Sequence, residues 1–360
     1  MRNLLISAAV LALLGGCSGH ADEGNAATAD ANMGIVEGNV SGASGAATAF
    51  TIDKVPLPGE GRGDYLTVDP EGSRLYVTHS TQVHILDLGT LKPIGAVTGL
   101  KAAHGVALAG GHGFVSDGDS NAVVEFDPAT GKTLKVIPTG KKPDSILFDP
   151  ASGKVMAFDG DSSEVSVIDP ATATVVATIA LPKPPEFSQT DGKGKVWVNM
   201  EEGNDIGVID TKTMKLTGTI PLPGCDGPAP LAFDAANRVL FSGCGNKVMS
   251  VVDADSGKTL ATVPIGGDPD GIAFDAGRKR VYVANRDGGW TIVDQQAKDK
   301  YAVNQTLKID EYAKTVTVDP KTHRAFSSTA DLIWGPVIPG KKHLPTAKSG
   351  SFRVLVVSEK

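Results

Sequence analysis

Seven copies of one four-part pattern run along the chain, and no other feature restricts its fold as much. Each copy is a β-rich run ending in Asp, a turn, a second run ending near a polar residue, a short loop, a third run ending in Asp, another turn, and a fourth run ending in Pro or Gly. The third copy shows it cleanly: DSILFDPASGKVMAFDGDSSEVSVIDPATATVVATIALP. Setting the residue five before the first Asp in register gives Asp64, His104, Asp144, Glu186, Ala229, Asp270 and Lys314, at intervals of roughly 40 to 44 residues. The second copy departs by having Ala109 where the Asp belongs. A unit of four short strands cannot bury a face by itself and must stack on its neighbours. The 43 Gly and 22 Pro supply the turns, and no amphipathic helical stretch follows the N-terminus. The expected fold is therefore all-β: a seven-bladed β-propeller of four antiparallel strands per blade, over residues 48–360.

The last copy is incomplete. It has Thr315 to Asp319, Arg324 to Thr329 and Phe352 to Glu359, and no fourth run follows. The missing strand is expected at the other end, at Phe50 to Leu57, which resembles the fourth runs around Ile220 and Val263. Pairing the N-terminal strand with the C-terminal blade closes the ring and removes its exposed edges. The runs Tyr76-Val77-Thr78-His79 and Tyr282-Val283-Ala284-Asn285, each followed by a short loop and a strand ending in Asp, resemble the YVTN-repeat (YncE-type) bacterial β-propellers. That resemblance implies the fold and little about activity, and Asn stands at only one of the two quoted sites.

The N-terminus reads as an export signal. Arg2 opens a short positive region, Leu4 to Leu14 is apolar but too short to span a bilayer, and Leu14-Gly15-Gly16-Cys17 resembles a bacterial lipobox. Residues 1–17 are then a signal peptide with Cys17 lipidated; ordinary cleavage after Ala21 is the alternative. Ser18 is not the aspartate that retains lipoproteins in the inner membrane, which favours the outer membrane. Residues 18–47 are small and polar and read as a flexible linker. Cys225 and Cys244 remain as an even pair, expected to form a disulfide because a hairpin brings their strand ends together; two unrelated buried thiols are the alternative. The expected location is the cell envelope, periplasmic and lipid-anchored, with membrane contact through the anchor only. A net charge of −7 with no basic stripe argues against a nucleic-acid partner.

In a four-stranded blade, the lead position and the end of the second strand fall on one face, near the central channel mouth. The first set is Asp64, His104, Asp144, Glu186, Asp270 and Lys314; the second is His79, Asp117, Asp159, Met200, Gly243, Asn285 and Thr329. Blades one to three thus contribute imidazoles and carboxylates, and His79, His104, Asp117 and Asp144 form a candidate site for zinc, copper or calcium. A solvated acidic rim is the plainer reading. Asp117-Gly118-Asp119-Ser120-Asn121 opens like a calcium loop but has Ala122 at its sixth position. Gly131-Lys132-Thr133 imitates the end of a phosphate loop without its earlier glycine or a following helix. An insertion in the last blade, residues 331–350, emerges on the same face, either as a lid or partner contact or as a tolerated excursion. No haem, zinc-protease, nucleophile-elbow or dinucleotide motif is present. The expected function is ligand binding or scaffolding for an envelope protein, glycan or small ligand at the acidic mouth face, around Asp64, His79, His104, Asp117, Asp144, Asp159, Glu186, Asp270 and Asn285. The alternative is a metal-dependent hydrolase or lactonase.

Overall fold

The computed structural model describes residues 47–337 and 344–360. Cys17, the signal peptide and nearly all of the linker lie outside the described residues. Six four-stranded antiparallel sheets follow one another in simple order, and a seventh combines both ends of the chain. In that seventh sheet Phe50–Pro56 is the outermost strand and pairs with Arg353–Glu359, from Phe50 opposite Glu359 to Pro56 opposite Arg353. The expected architecture and its mode of closure are both present. The junction is also tied by side chains: Arg280 in the sixth blade bonds Glu359 and Thr48.

The reason the strands read as unbroken apolar runs is packing on both faces. In Lys154–Asp159, Val155 and Ala157 face the second blade, while Met156 and Phe158 face the fourth. Alternate side chains of a strand point to opposite faces, so a blade sandwiched between neighbours needs apolar residues at every position. Seven buried clusters result, each joining two adjacent blades around the ring. The core is thus divided among the interfaces, and no blade holds a core of its own.

In six blades the first strand begins with an irregularity. Its register against the second strand shifts between Gly63 and Leu66, and likewise after Ala103, Pro143, Pro185, Pro228 and Pro269. A bulge re-aims the side chain it carries. Here the residue inside the bulge is the lead residue, Asp64, His104, Asp144, Glu186, Ala229 or Asp270, and this local feature turns a sheet position into a lining of the channel mouth.

Candidate functional site

The lead residues converge as expected. Asp64, His104, Asp144, Glu186, Asp270 and Lys314 all line one cavity of about 510 Å³ at the mouth. His104 Nδ1 lies 2.7 Å from Asp64 Oδ2 and 3.5 Å from Asp144 Oδ1. Lys314 Nζ bridges Asp64 at 2.8 Å and Asp270 at 2.5 Å. Arg286 Nη2 reaches Asp270 Oδ1 at 2.8 Å. Ion pairs therefore connect the second, first, seventh and sixth blades in sequence.

This network sets the protonation states. Burial alone would favour neutral His104, but Asp144 and Asp64 outweigh it and push its pKa up to about 9. Burial also raises Asp64, yet Lys314 and His104 together hold its carboxyl far below the usual range. Glu186 has no such cation; burial first, then Asp144 and Glu201, push it up to about 8. Burial and the neighbouring Asp64 charge raise Asp144 against the pull of His104. One residue deeper, Tyr65 of the first blade meets Phe187 of the fourth, with ring centroids 4.8 Å apart, so an aromatic pair crosses the channel beneath the charged ring.

The second-strand ends do not join them. His79 stacks on Phe352 at 3.6 Å and is fully buried. Asp117 Oδ1 accepts the backbone N–H groups of Lys101 and Ala102, and its Oδ2 accepts the Ser120 hydroxyl. Asp159 accepts the Ser166 hydroxyl, and Asn285 donates to Val283 O and Gly289 O. These four are loop-fixing residues inside their blades, and Asp117 uses both oxygens in doing so. The physical reason is that each is the last residue of its strand and packs inside the blade. The chain turns toward the mouth only after the strand ends. In the first, fourth and sixth blades the next residue, Ser80, Glu201 or Arg286, lines its cavities. Gly118, in the same position, is close enough to His104 that a Cβ there would lie 2.7 Å from Nε2.

The proposed metal set is correspondingly reduced. His79 and Asp117 point elsewhere, and among the described residues Asp64, His104 and Asp144 are the group whose ligand atoms fall within 4.8 Å of one another. Two protein cations already serve these carboxylates, the His104 imidazolium and the Lys314 ammonium.

Arg286 is the residue that sequence reading missed. It lines the first cavity, a second of about 610 Å³ and a third of about 450 Å³. Its guanidinium packs over Tyr312 at 5.9 Å, as does that of Arg62 at 5.2 Å. The second cavity is acidic, lined by Glu186, Glu201, Glu202, Asp226, Asp268 and Asp270. The third is more apolar, with Trp334, Tyr312 and Leu344. Trp334 and Leu344 come from the insertion, whose Leu332–Ile333 and Thr346–Ala347 form a small hairpin, so the insertion does reach the mouth. The mouth is of mixed charge rather than uniformly acidic, because Arg62, Lys101, Lys142 and Arg286 also line the first cavity.

Cys225 and Cys244 are bridged, with Cα atoms 5.4 Å apart. The bridge pins the start of the fifth blade to the end of its second strand, beside Asp226, Gly227 and Gly245 of the second cavity.

No family model matches the chain, and no curated protein does either. Solved structures do. Hydrazine Synthase of Kuenenia stuttgartiensis aligns with a TM-score of 0.66 at 17% identity, over 76% of this chain and 94% of that one. The structure of U3-55K aligns with a TM-score of 0.70 at 9% identity, over 85% and 98%. The RRP9 WD40 repeats align with a TM-score of 0.71 at 10% identity, over 87% and 99%. At such identities the likeness establishes the propeller fold alone.

Proposed function

We propose that this chain is a non-catalytic binding propeller of the cell envelope that holds a polar ligand at its channel mouth. The observation that carries this is the meeting of three cavities at Arg286, one of mixed charge, one acidic and one more apolar. Concave sites with a few convergent polar groups are where small ligands bind. The Tyr65–Phe187 pair supports entry from this face, since it crosses the channel below. The lipobox-like Leu14-Gly15-Gly16-Cys17 supports the envelope location, and a disulfide suits an oxidising compartment. Membership of the YVTN-repeat propellers belongs to the same proposal and rests on the sequence resemblance.

The test is a thermal-shift and calorimetric screen of peptides, glycans and small polar metabolites against the full chain and its Arg286→Lys and Lys142→Glu variants. Saturable binding weakened by either substitution is expected. Ligands that bind both variants as tightly as the parent would place the site elsewhere.

A metal-dependent hydrolase or lactonase is the second reading, favoured by the Asp64, His104 and Asp144 cluster. Its difficulty is chemical. A cation bound there must displace the His104 proton and compete with Lys314. Calorimetry with zinc, copper and calcium distinguishes the two: a micromolar site lost in His104→Ala supports the hydrolase, and no such site removes it.

A further inference from the structure

Ion pairing leaves the mouth with charge of opposite sign at its two sides. In the first cavity every carboxylate but one has a cation. Asp64 is bonded to His104 and Lys314, and Asp270 to Lys314 and Arg286. Asp144 lies beside His104. Glu186 is the exception, and burial together with its acidic neighbours keeps it largely protonated at neutral pH. Arg62, Lys101 and Lys142, by contrast, line this cavity without a carboxylate in ion-pair range among the described residues. The remaining charge of the first cavity is positive.

In the second cavity the opposite holds. Arg286 is engaged by Asp268 and Asp270. Glu201 and Asp226 have no basic partner among the described residues, so the remaining charge is negative. The third cavity adjoins both, sharing Tyr312, Leu344 and Arg286 with the first and Asp268 and Arg286 with the second. It presents Trp334, 45% exposed, and Leu344, 47% exposed, beside Tyr312. An occupant matching all three needs an anionic end, a cationic end and an apolar group between or beside them. A free amino acid carries both charges on groups joined to one carbon, whereas the unpaired cations line the first cavity and the unpaired carboxylates the second. A metabolite of one charge sign leaves one side of the mouth unmatched.

We propose that the mouth holds a short peptide with both termini free, its carboxylate over Arg62, Lys101 and Lys142, its ammonium over Glu201 and Asp226, and one apolar side chain against Tyr312, Trp334 and Leu344. This rests on the reading of the mouth as a ligand site and names the ligand class. Charge complementarity at both ends gives register and direction as well as affinity. A cation–π contact strengthens the shared wall, because Tyr312 already lies against Arg62 and Arg286.

The experiment is titration calorimetry of the full chain with the tetrapeptide Ala-Phe-Ala-Ala, its N-acetyl form, its C-amide form and Ala-Ala-Ala-Ala. The parent peptide is expected to saturate, and each of the three changes to weaken it by about three- to tenfold. Both test substitutions sit on exposed side chains, so the fold tolerates them: Lys142→Ala should lose its effect on the C-amide peptide, and Glu201→Gln its effect on the N-acetyl peptide. Two results overturn the proposal. One is an N-acetyl or C-amide peptide that binds as tightly as the parent. The other is a set of peptides that do not bind at millimolar concentration while another compound of the screen binds at the mouth. If no compound of any class binds, it is the ligand-site reading itself that falls.

Discussion

His84 Nε2 lies 3.0 Å from His79 Nδ1, and His79 Nε2 lies 3.2 Å from the carbonyl oxygen of Gly61. A carbonyl only accepts, so His79 donates from Nε2, its Nδ1 is bare, and His84 donates to it from Nε2. The relay is complete with both rings neutral. Both rings are buried, His79 completely, against Phe352 at the join of the first and seventh blades.

A dependence of stability on acid follows. Burial first, and then the His79 charge, push the His84 pKa down to about 4 from an ordinary 6.5; burial lowers His79 as well. A depressed histidine contributes stability that is complete above pH 6.5 and is lost as pH falls toward 4. For His84 the loss is about 3 kcal/mol at most. Denaturant unfolding of the parent and of His84→Gln between pH 7 and 4 checks this: the difference between them should shrink steadily as pH falls. A constant difference would refute the relay. Glu186 and His104, raised in the folded state, act in the opposite sense, so the comparison with the variant is needed rather than the parent curve alone.

His104 itself should remain an imidazolium at neutral pH. Its raised pKa means the stabilisation it brings is fully present below pH 6.5 and fades as pH rises through about 9. Nitrogen-detected NMR of the imidazole rings should find His104 protonated on both nitrogens at pH 7.5. In Asp64→Asn that signature should move to lower pH. An unshifted titration would mean that Asp64 is not its partner.

Lys314 is the cation on which the mouth depends. Replacing it by Met leaves Asp64 and Asp270 facing each other with one partner fewer apiece. Removing one member of a buried ion pair costs about 3–5 kcal/mol. Unlike most destabilising changes, this one should be partly relieved by lowering the pH, because protonation of the stranded carboxylates removes the repulsion. Equal losses at pH 4.5 and 8 would argue against an electrostatic origin.

Reduction of Cys225–Cys244 should weaken the fold and the acidic side of the mouth together. The linked residues are 19 apart, and closing a loop of that size contributes about 3 kcal/mol on the chain-entropy model. Peptide mapping without reductant should recover the linked pair, and the double Ser variant should unfold at lower denaturant. Quantitative alkylation of both thiols in the native protein would exclude the bridge.

Deleting residues 48–58 should abolish a single cooperative transition, since it strips the outer strand from the seventh sheet and exposes Arg353–Glu359. Deleting residues 334–345 from the insertion should leave the melting temperature nearly unchanged. Similar melting of the two truncated chains would contradict closure by the N-terminal strand.

Repetition by itself determined the architecture of this protein. The seven lead residues, their regular spacing and the missing fourth strand of the last copy are all legible in the sequence, because strands and turns are local and a period of about 40 residues admits few folds. The convergence of Asp64, His104, Asp144, Glu186, Asp270 and Lys314 was legible for the same reason: equivalent positions of a closed ring must meet at its axis. Which neighbouring residues join them was decided only in three dimensions. His79, Asp117, Asp159 and Asn285 are the last residues of their strands and pack inside the blades, and the chain turns to the mouth only beyond them. Arg286, the hub of the three cavities, and the Tyr65–Phe187 contact across the channel depend on bulges and on blades far apart in the chain. The ion pairs that set the charge of the mouth depend on them too. Periodicity carries position along the chain, but strand end, bulge and cross-ring distance are properties of the assembled sheets.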